Sequence, residues 1–486
     1  MATDTEHCGV ENPSKPFSLI FFIEFWERWG FYGMQAVMVY FMITNLNFDD
    51  TKANMTWGAM TALCYAFISV GGFVGDKVLG TKRTMLIGAI VLAIGYLFLT
   101  IHPEKFIYIG MGTIVAGNMM FKANPSSLVS KLYKPGDHRI DSAFTMYYMS
   151  INLGSFFSMI LCPMAQEYWG YSSAFLICVI GLSLAIAGYL FFSKLLAGVG
   201  SQPDFEKVAI GKLFAVIVLI VVVAIISSLL LKYLTVAQII LYIAIICIFL
   251  IMIKLTIRAE DSKQRMSYVV CMVLIVEAVV FYILYNQMPT SLNLFAIRNT
   301  NHDLFGLTIN PLQYQTLNPF WIIIGSPILA LIYNALGKHG RDFTIATKFA
   351  FGMLLCSLGF LALPLAGKFF ADSNGIISGN WMVVTYGFQS IGELLIAGLG
   401  LSMVTKLVPQ KVVGFVMGAW FLATAISGIF GGMVASLASV PKVDAGNTIL
   451  SLKLYSNLFL QLGISTFIIC IIMFIFVPKL NKFIKQ

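Results

Sequence analysis

Long apolar stretches recur along the chain near residues 18–46, 53–75, 84–101, 105–132, 140–163 and 171–196. Two more lie near 209–231 and 235–257, and six follow near 266–290, 310–337, 344–370, 379–408, 412–439 and 450–477. Each is long enough to supply the roughly 20 residues that a helix needs to cross the hydrocarbon core of a bilayer. Fourteen such segments predict an all-α polytopic membrane protein, and the even number places both termini on one side. Many connections are only a few residues long, which makes neighbouring spans antiparallel. The seventh and eighth segments stand apart: they are built from Ile, Val and Leu and, away from their ends, lack the Gly, Asn and Glu of the others. They read as a lipid-facing hairpin joining two bundles. The expected organisation is a six-helix bundle over 17–197, an inserted hairpin over 208–258 and a second six-helix bundle over 265–483.

Composition strengthens this picture. Of the 486 residues 59% are hydrophobic and 11% charged, with a mean hydropathy of +0.86, against about 25% charged in a soluble domain. A soluble enzyme, a disordered scaffold and a secreted disulfide module are thereby excluded. The net charge of +9 and pI near 9.0 change meaning once the basic residues are sorted by loop. With a cytoplasmic amino terminus, 22 Lys and Arg fall on the cytoplasmic side, seven outside and two within spans. That is the bias expected of loops retained in the cytoplasm, and it removes nucleic acid as the partner. Seven of the eight cysteines lie in apolar stretches without paired spacing, as small packing residues do. The segment before the first span carries Asp4, Glu6 and Glu11 against a single Lys15, unlike a signal peptide. The first span is therefore expected to remain in the membrane.

Six charges lie within or near spans: Glu24, Glu27, Arg28, Lys122, Glu277 and Glu393. A central charge costs roughly 2.5–3.5 kcal/mol on insertion scales, so these positions need a compensating role. Glu24, Glu27 and Arg28 are spaced i, i+3, i+4 and share one helix face, which Tyr32 continues. A carboxylate pair beside an arginine and apolar walls can exchange a proton near neutral pH. Lys122 sits mid-span in a stretch of small and polar residues, GNMMFKANPSSL, and is expected to face a cavity with a first-span carboxylate as its partner. Lys122 and Glu393 are mid-span charges of opposite sign in opposite halves, suited to the two ends of a zwitterion.

Several motifs now become recognisable. Glu24-Phe-Trp-Glu27-Arg28-Trp-Gly-Phe-Tyr32-Gly33 resembles the ExxERFxYYG motif of the proton-dependent oligopeptide transporters, a family of the major facilitator superfamily. Phe144-Thr-Met-Tyr-Tyr148-Met-Ser-Ile-Asn152-Leu-Gly154-Ser is similar to that family's fifth-span signature. Gly72-Phe-Val-Gly-Asp76-Lys-Val-Leu-Gly80-Thr-Lys82-Arg83 resembles the cytoplasmic loop shared across major facilitators. Phe121-Lys122-Ala-Asn124-Pro, Leu317-Asn318-Pro-Phe and Ser390-Ile-Gly-Glu393-Leu extend the likeness into both halves. The inserted hairpin is typical of bacterial members.

The resemblance implies a major facilitator fold, two six-helix bundles with a binding site between them near the midplane. It implies a proton-coupled symporter importing di- and tripeptides by alternating access, with no enzymatic activity and no cofactor beyond the coupling proton. Glu24, Glu27, Arg28 and Lys122 would form the proton-coupling cluster. Tyr32, Tyr65, Lys122, Tyr148 and Asn152 would line the carboxylate and backbone side of the peptide, Asn318 and Glu393 would face its amino terminus, and Trp420 would wall a side pocket. Peptide-like drugs are further expected cargo, lipid the expected surroundings, a monomer the expected state and a bacterial inner membrane the expected location. Four positions depart from the family pattern: Trp29, Phe31 in place of the first tyrosine of YYG, Gln35 where many members carry arginine, and Asn286 at a seventh-span position often acidic. The alternative is a transporter of the same fold with another small solute, such as an amino acid, nitrate or drug. An intramembrane enzyme is disfavoured, because His7, His102, His138, His302 and His339 lie in a tail or loops and neither HExxH nor GxSxG occurs.

Overall fold

The computed structural model describes residues 10, 12–134, 137–259, 261–338, 343–396 and 410–484. Among these, twelve helices are long and apolar enough to cross a membrane. The two remaining predicted spans are α1 (Ser14–Thr44), a 31-residue helix with three charges at its centre, and α15 (Asn380–Ile396). The later part of the predicted span 379–408 lies outside the described residues. The chain forms two compact units. One takes residues up to Phe41 and Leu63–Leu234; the other takes Met42–Ala62 and the chain from Thr235 onward.

In the first unit the predicted span 53–75 continues from α2 (Asp50–Ala66) through α3 (Ile68–Phe73) into a π-helical turn at Val74–Val78. After α4 (Thr81–Ile101), the predicted span 105–132 is a broken helix, α5 (Pro103–Phe121) and α6 (Asn124–Lys131). Pro125 causes the break: it has no N–H to give, and its ring would collide with the carbonyl four residues back. At the break Asn124 Nδ2 donates to the Met120 carbonyl at 2.6 Å and lies 3.5 Å from that of Gly71 on α3. Gly71 and Gly75 let α3 come this close, because a Cβ on either would overlap Met119 O or Asn124 Oδ1. Lys122 is thus held in an irregular stretch of backbone, which is tolerated at membrane depth only where protein or a cavity surrounds it. The unit is completed by α7 (Arg139–Trp169), α8 (Tyr171–Phe192) and α9 (Ile210–Lys232).

Between α8 and α9 the chain folds back onto the first turn of α4. Ser201 Oγ donates to Gly75 O at 2.7 Å and accepts from Thr81 N at 3.1 Å. Asp204 accepts from Lys82 N at 3.2 Å and from Ser201 N at 3.0 Å, which puts an anion at the helix N-terminus. Lys82 Nζ donates to Leu196 O at 2.9 Å and Arg83 to Pro203 O at 2.7 Å. Gly80 makes the fit possible: its φ is +103°, and a Cβ would overlap the Asp204 carboxylate. Gly80→Ala is expected to cost about 1–3 kcal/mol, read as a lower melting temperature in detergent; an unchanged value would show that the clamp contributes nothing to stability.

In the second unit, α10 (Leu234–Ile257) is followed by α11 (Ser262–Tyr285) and α12 (Ser291–Asn299). The seventh bundle span therefore runs nine residues beyond its predicted end at 290. Beyond that predicted end Asn293 and Asn299 are buried and Arg298 is paired. Arg298 meets Asp50 in a two-pronged ion pair of 2.5 and 2.8 Å and donates to Tyr455 Oη at 2.9 Å. Asp50 also accepts from Val440 N at 3.0 Å. Asn299 spans Gly375 O and Thr448 O and accepts from Ser451 Oγ. The unit continues with α13 (Leu317–Lys338), α14 (Ile345–Phe369), α15, α16 (Gln410–Ser436) and α17 (Thr448–Ile484). Within it, a Cβ on Gly58 would overlap Gly428 O, so α2 and α16 cross almost backbone to backbone.

Candidate functional site

α1 brings three charges into a space sealed from solvent: Glu24 and Glu27 are 0% exposed and Arg28 3%. The two carboxylates differ. Arg28 engages Glu27 with both prongs, Nε to Oε2 at 2.5 Å and Nη2 to Oε1 at 2.7 Å, the strong geometry for this pair. Glu24 reaches Arg28 only at 3.5 Å, and among the described residues neither of its oxygens has a partner in good hydrogen-bonding geometry. The guanidinium also lies 5.2 Å from the centre of the Phe31 ring, so the residue departing from YYG becomes a cation–π face.

Lys122, in the break between α5 and α6, faces the same charges. Arg28, Glu24 and Glu27 are its charged neighbours, but it forms no ion pair with either carboxylate within 4 Å among the described residues. The expected bridge to a first-span carboxylate is therefore not closed here. Two negative and two positive groups make a neutral cluster, which is what allows Glu24, Glu27 and Arg28 to be sealed from solvent with Lys122 half-buried beside them. The Cys64 thiol also lies near Arg28, Glu27 and Lys122. Tyr32, Tyr65 and Tyr148 are each partly exposed. Asn152, 4% exposed, donates its amide to Tyr148 O at 2.9 Å.

The second unit holds the other expected residues. Asn318, at the start of α13, donates to Glu393 Oε2 at 2.8 Å and lies 3.0 Å from Ser390 Oγ. Glu393 and Ser390 are one turn apart on α15, so a single amide ties both to α13 and fixes the direction of the carboxylate. Trp420 is buried on α16. Asn286 gives its amide to Tyr282 O at 2.7 Å, with Ser427 O at 3.5 Å: where an acid is often expected, an amide supports the end of α11. Glu277 is 8% exposed and its Oε2 has no hydrogen-bond partner among the described residues.

One residue escaped the sequence reading. Tyr147 is more buried than Tyr148, and its hydroxyl faces Glu24. The signal was available: Ala143, Tyr147, Ser150 and Gly154 recur at intervals of four, three and four, and all are buried. That face meets α1, because a Cβ on Gly154 would overlap Phe25 O.

A helical membrane protein with a broken span and buried, mutually compensating charges belongs among the solute transporters. The chain matches the POT family over residues 82–451 and is a member of that family. It is 47% identical over 482 residues to the dipeptide and tripeptide permease A of Citrobacter koseri, covering 99% of this chain and 95% of that one. It is 45% identical to the dipeptide and tripeptide permease B of Photorhabdus luminescens, covering 98% of each. Among solved structures, the tetrameric transporter PepTSo2 superposes with a TM-score of 0.88 at 40% identity, covering 97% of this chain and 99% of that one. A bacterial homologue of the human drug peptide transporters PepT1 and PepT2 gives 0.88 at 39% identity, covering 97% and 100%.

Proposed function

We propose that the protein is a proton-coupled symporter importing di- and tripeptides by alternating access. The observation that carries this is the asymmetry inside the α1 cluster. Glu27 and Arg28 form a closed, neutral pair, which leaves Glu24 as the carboxylate free to take a proton. While Glu24 is ionised, its charge offsets that of Lys122. Once it is protonated the cluster holds one net positive charge, and Lys122 becomes an attractive partner for a peptide carboxylate. Proton and peptide then favour each other's binding, and by linkage the coupling is reciprocal. Tyr32, Tyr65, Tyr148 and Asn152 line the carboxylate and backbone side of the peptide. Glu393, aimed by Asn318, receives its ammonium group, and Trp420 walls a side pocket. Peptide-like drugs with the same two termini fall within this chemistry.

The conformational part involves the outer ends of α1 and α2. Met42–Ala62 packs within the second unit, with the Asp50–Arg298 pair as its strongest polar tie. For access to alternate, this segment must exchange partners. Each chain carries every residue invoked here, so the monomer suffices as the working unit. The excess of basic residues on one set of loops supports cytoplasmic termini, and a bacterial inner membrane supplies the proton gradient.

Labelled dialanine uptake into proteoliposomes under an imposed inward proton gradient tests this reading. Accumulation that collapses with a protonophore and is inhibited by dipeptides and tripeptides, but not by free amino acids, is the expected result. Uptake indifferent to the gradient would end the proposal, and competition by amino acids, nitrate or drugs instead of peptides would reassign the cargo.

A further inference from the structure

Glu24 is fully buried, so a proton bound there needs a route to water. A cleft of about 560 Å³ opens in the first unit, lined by Ser14, Phe17, Ser18 and Phe21 of α1 together with Arg139, Ser142, Ala143 and Met146 of α7. Its apolar end is one turn from the cluster on both helices: Phe21 precedes Glu24 by three residues, and Ala143 precedes Tyr147 by four. Its polar lining comes from Ser14, Ser18, Ser142 and Arg139. Tyr147 is not part of that lining but follows the lining residue Ala143 by one turn of α7, between it and the cluster. It shares with Ala143 the face of α7 that abuts α1, and its hydroxyl is directed at Glu24, although short of a fully formed hydrogen bond. The other groups facing this carboxylate are Arg28 and Glu27 on its own helix, with Lys122 opposite. Arg28 and Lys122 are cations and Glu27 is occupied by Arg28, so none of the three offers a free acceptor.

We infer that the Tyr147 hydroxyl relays the proton between Glu24 and water in the cleft between α1 and α7. The carboxyl proton passes to the phenol oxygen as the phenol's own proton passes to a water molecule, so the tyrosine ends as it began and Glu24 is left ionised. A phenol suits this step because it both donates and accepts. Side chains on a helix lean toward its N-terminus, which tips the Glu24 carboxyl back along α1 toward the Phe21 end of the cleft. Tyr147 acts through Glu24 and is a positioning and relay residue, not a peptide ligand.

This relay rests on the proton-coupled reading above, and two transport modes separate the two. Net uptake driven by a proton gradient requires proton release in every cycle; exchange of labelled for unlabelled dialanine requires no net proton movement. In Tyr147→Phe, gradient-driven uptake is expected to fall about tenfold or more, in keeping with the size of positioned proton-transfer effects, while the KM and rate of exchange stay within about twofold. A pure packing role would lower both modes together and would overturn the relay. Ser142→Cys, at the mouth of the cleft, supplies a check that leaves the tyrosine in place. Modification with a bulky thiol reagent, with identically treated wild type as control, is expected to slow net uptake and spare exchange; net uptake unaffected by the reagent would equally overturn it. If wild-type uptake ignores the gradient altogether, the symport reading fails first.

Discussion

Glu24→Gln is expected to abolish peptide accumulation and leave peptide exchange running. A proton entering across 100 mV carries about 2.3 kcal/mol, and each pH unit adds about 1.4 kcal/mol. At one proton per peptide, 100 mV and one pH unit support accumulation of several hundred-fold, and the variant should fall to a ratio of about one. The neutral amide keeps the Glu27–Arg28 pair intact, so folding and peptide movement survive. Glu27→Gln is expected to behave differently. It opens the two-pronged pair and leaves Arg28 with only Glu24 at 3.5 Å; removing one partner of a buried pair costs about 3–5 kcal/mol. That variant should show a lower melting temperature in detergent and lose accumulation and exchange together. Equal accumulation by Glu24→Gln and wild type would remove Glu24 as the coupling group. A Glu27→Gln protein as stable as wild type would remove the distinction between the two carboxylates.

The sequence alone could not draw that distinction, and the reason is geometric. Spacing places Glu24, Glu27 and Arg28 on one face, but which carboxylate Arg28 grips depends on rotamers that spacing does not encode. The same holds for Lys122. Its charge in an apolar span marked it, and the following Asn124-Pro125 announced an irregular helix, but only packing against Gly71 and Gly75 shows how the break is sealed. Hydrophobic pattern located the spans well because the bilayer imposes one length on all of them. It fell short where polar residues are buried by specific partners, as in α12, whose Arg298 and Asn299 lie beyond the predicted end of the apolar run at 290. Tyr147 was overlooked for a related reason. A tyrosine in an apolar helix ordinarily packs, and its direction becomes informative only once the small residues Ala143, Ser150 and Gly154 are seen to press that face against α1.

Buried polar groups divide the molecule into parts that are fixed and parts that must change. Asn124 at the helix break, Asn299 among its three partners and Ser201 in the clamp on α4 have their donors committed at short range, as groups buried for structure should. Glu24 departs from this rule: it is sealed from solvent, yet among the described residues neither oxygen has a well-formed partner, a condition it shares with the Asn293 and Gln389 amides. A static role does not explain a carboxylate left in that condition, whereas a group that alternates between charged and neutral forms cannot be fully satisfied in both.

Glu393→Gln is expected to weaken binding of free dialanine by about 30-fold to several thousand-fold, the range for removing one partner of a buried, hydrogen-bonded charge pair. The substitution is isosteric, and the new amide oxygen can still accept from Asn318, so the link between α13 and α15 persists and the change is one of charge. The signature lies in the peptide. N-acetyl-dialanine has no ammonium group, so it should bind wild type weakly and lose little further affinity in the variant. Asn318→Ala probes the aim of the carboxylate instead. It keeps the charge but frees its rotamer, and a loss of about 10- to 150-fold is expected from a hydrogen bond to a charged group worth roughly 1.5–3 kcal/mol. Competition against labelled dialanine, with free and acetylated peptides side by side, measures all of these quantities. If Glu393→Gln weakens both peptides by the same factor, Glu393 acts on the shape of the second unit and not on the peptide's amino terminus.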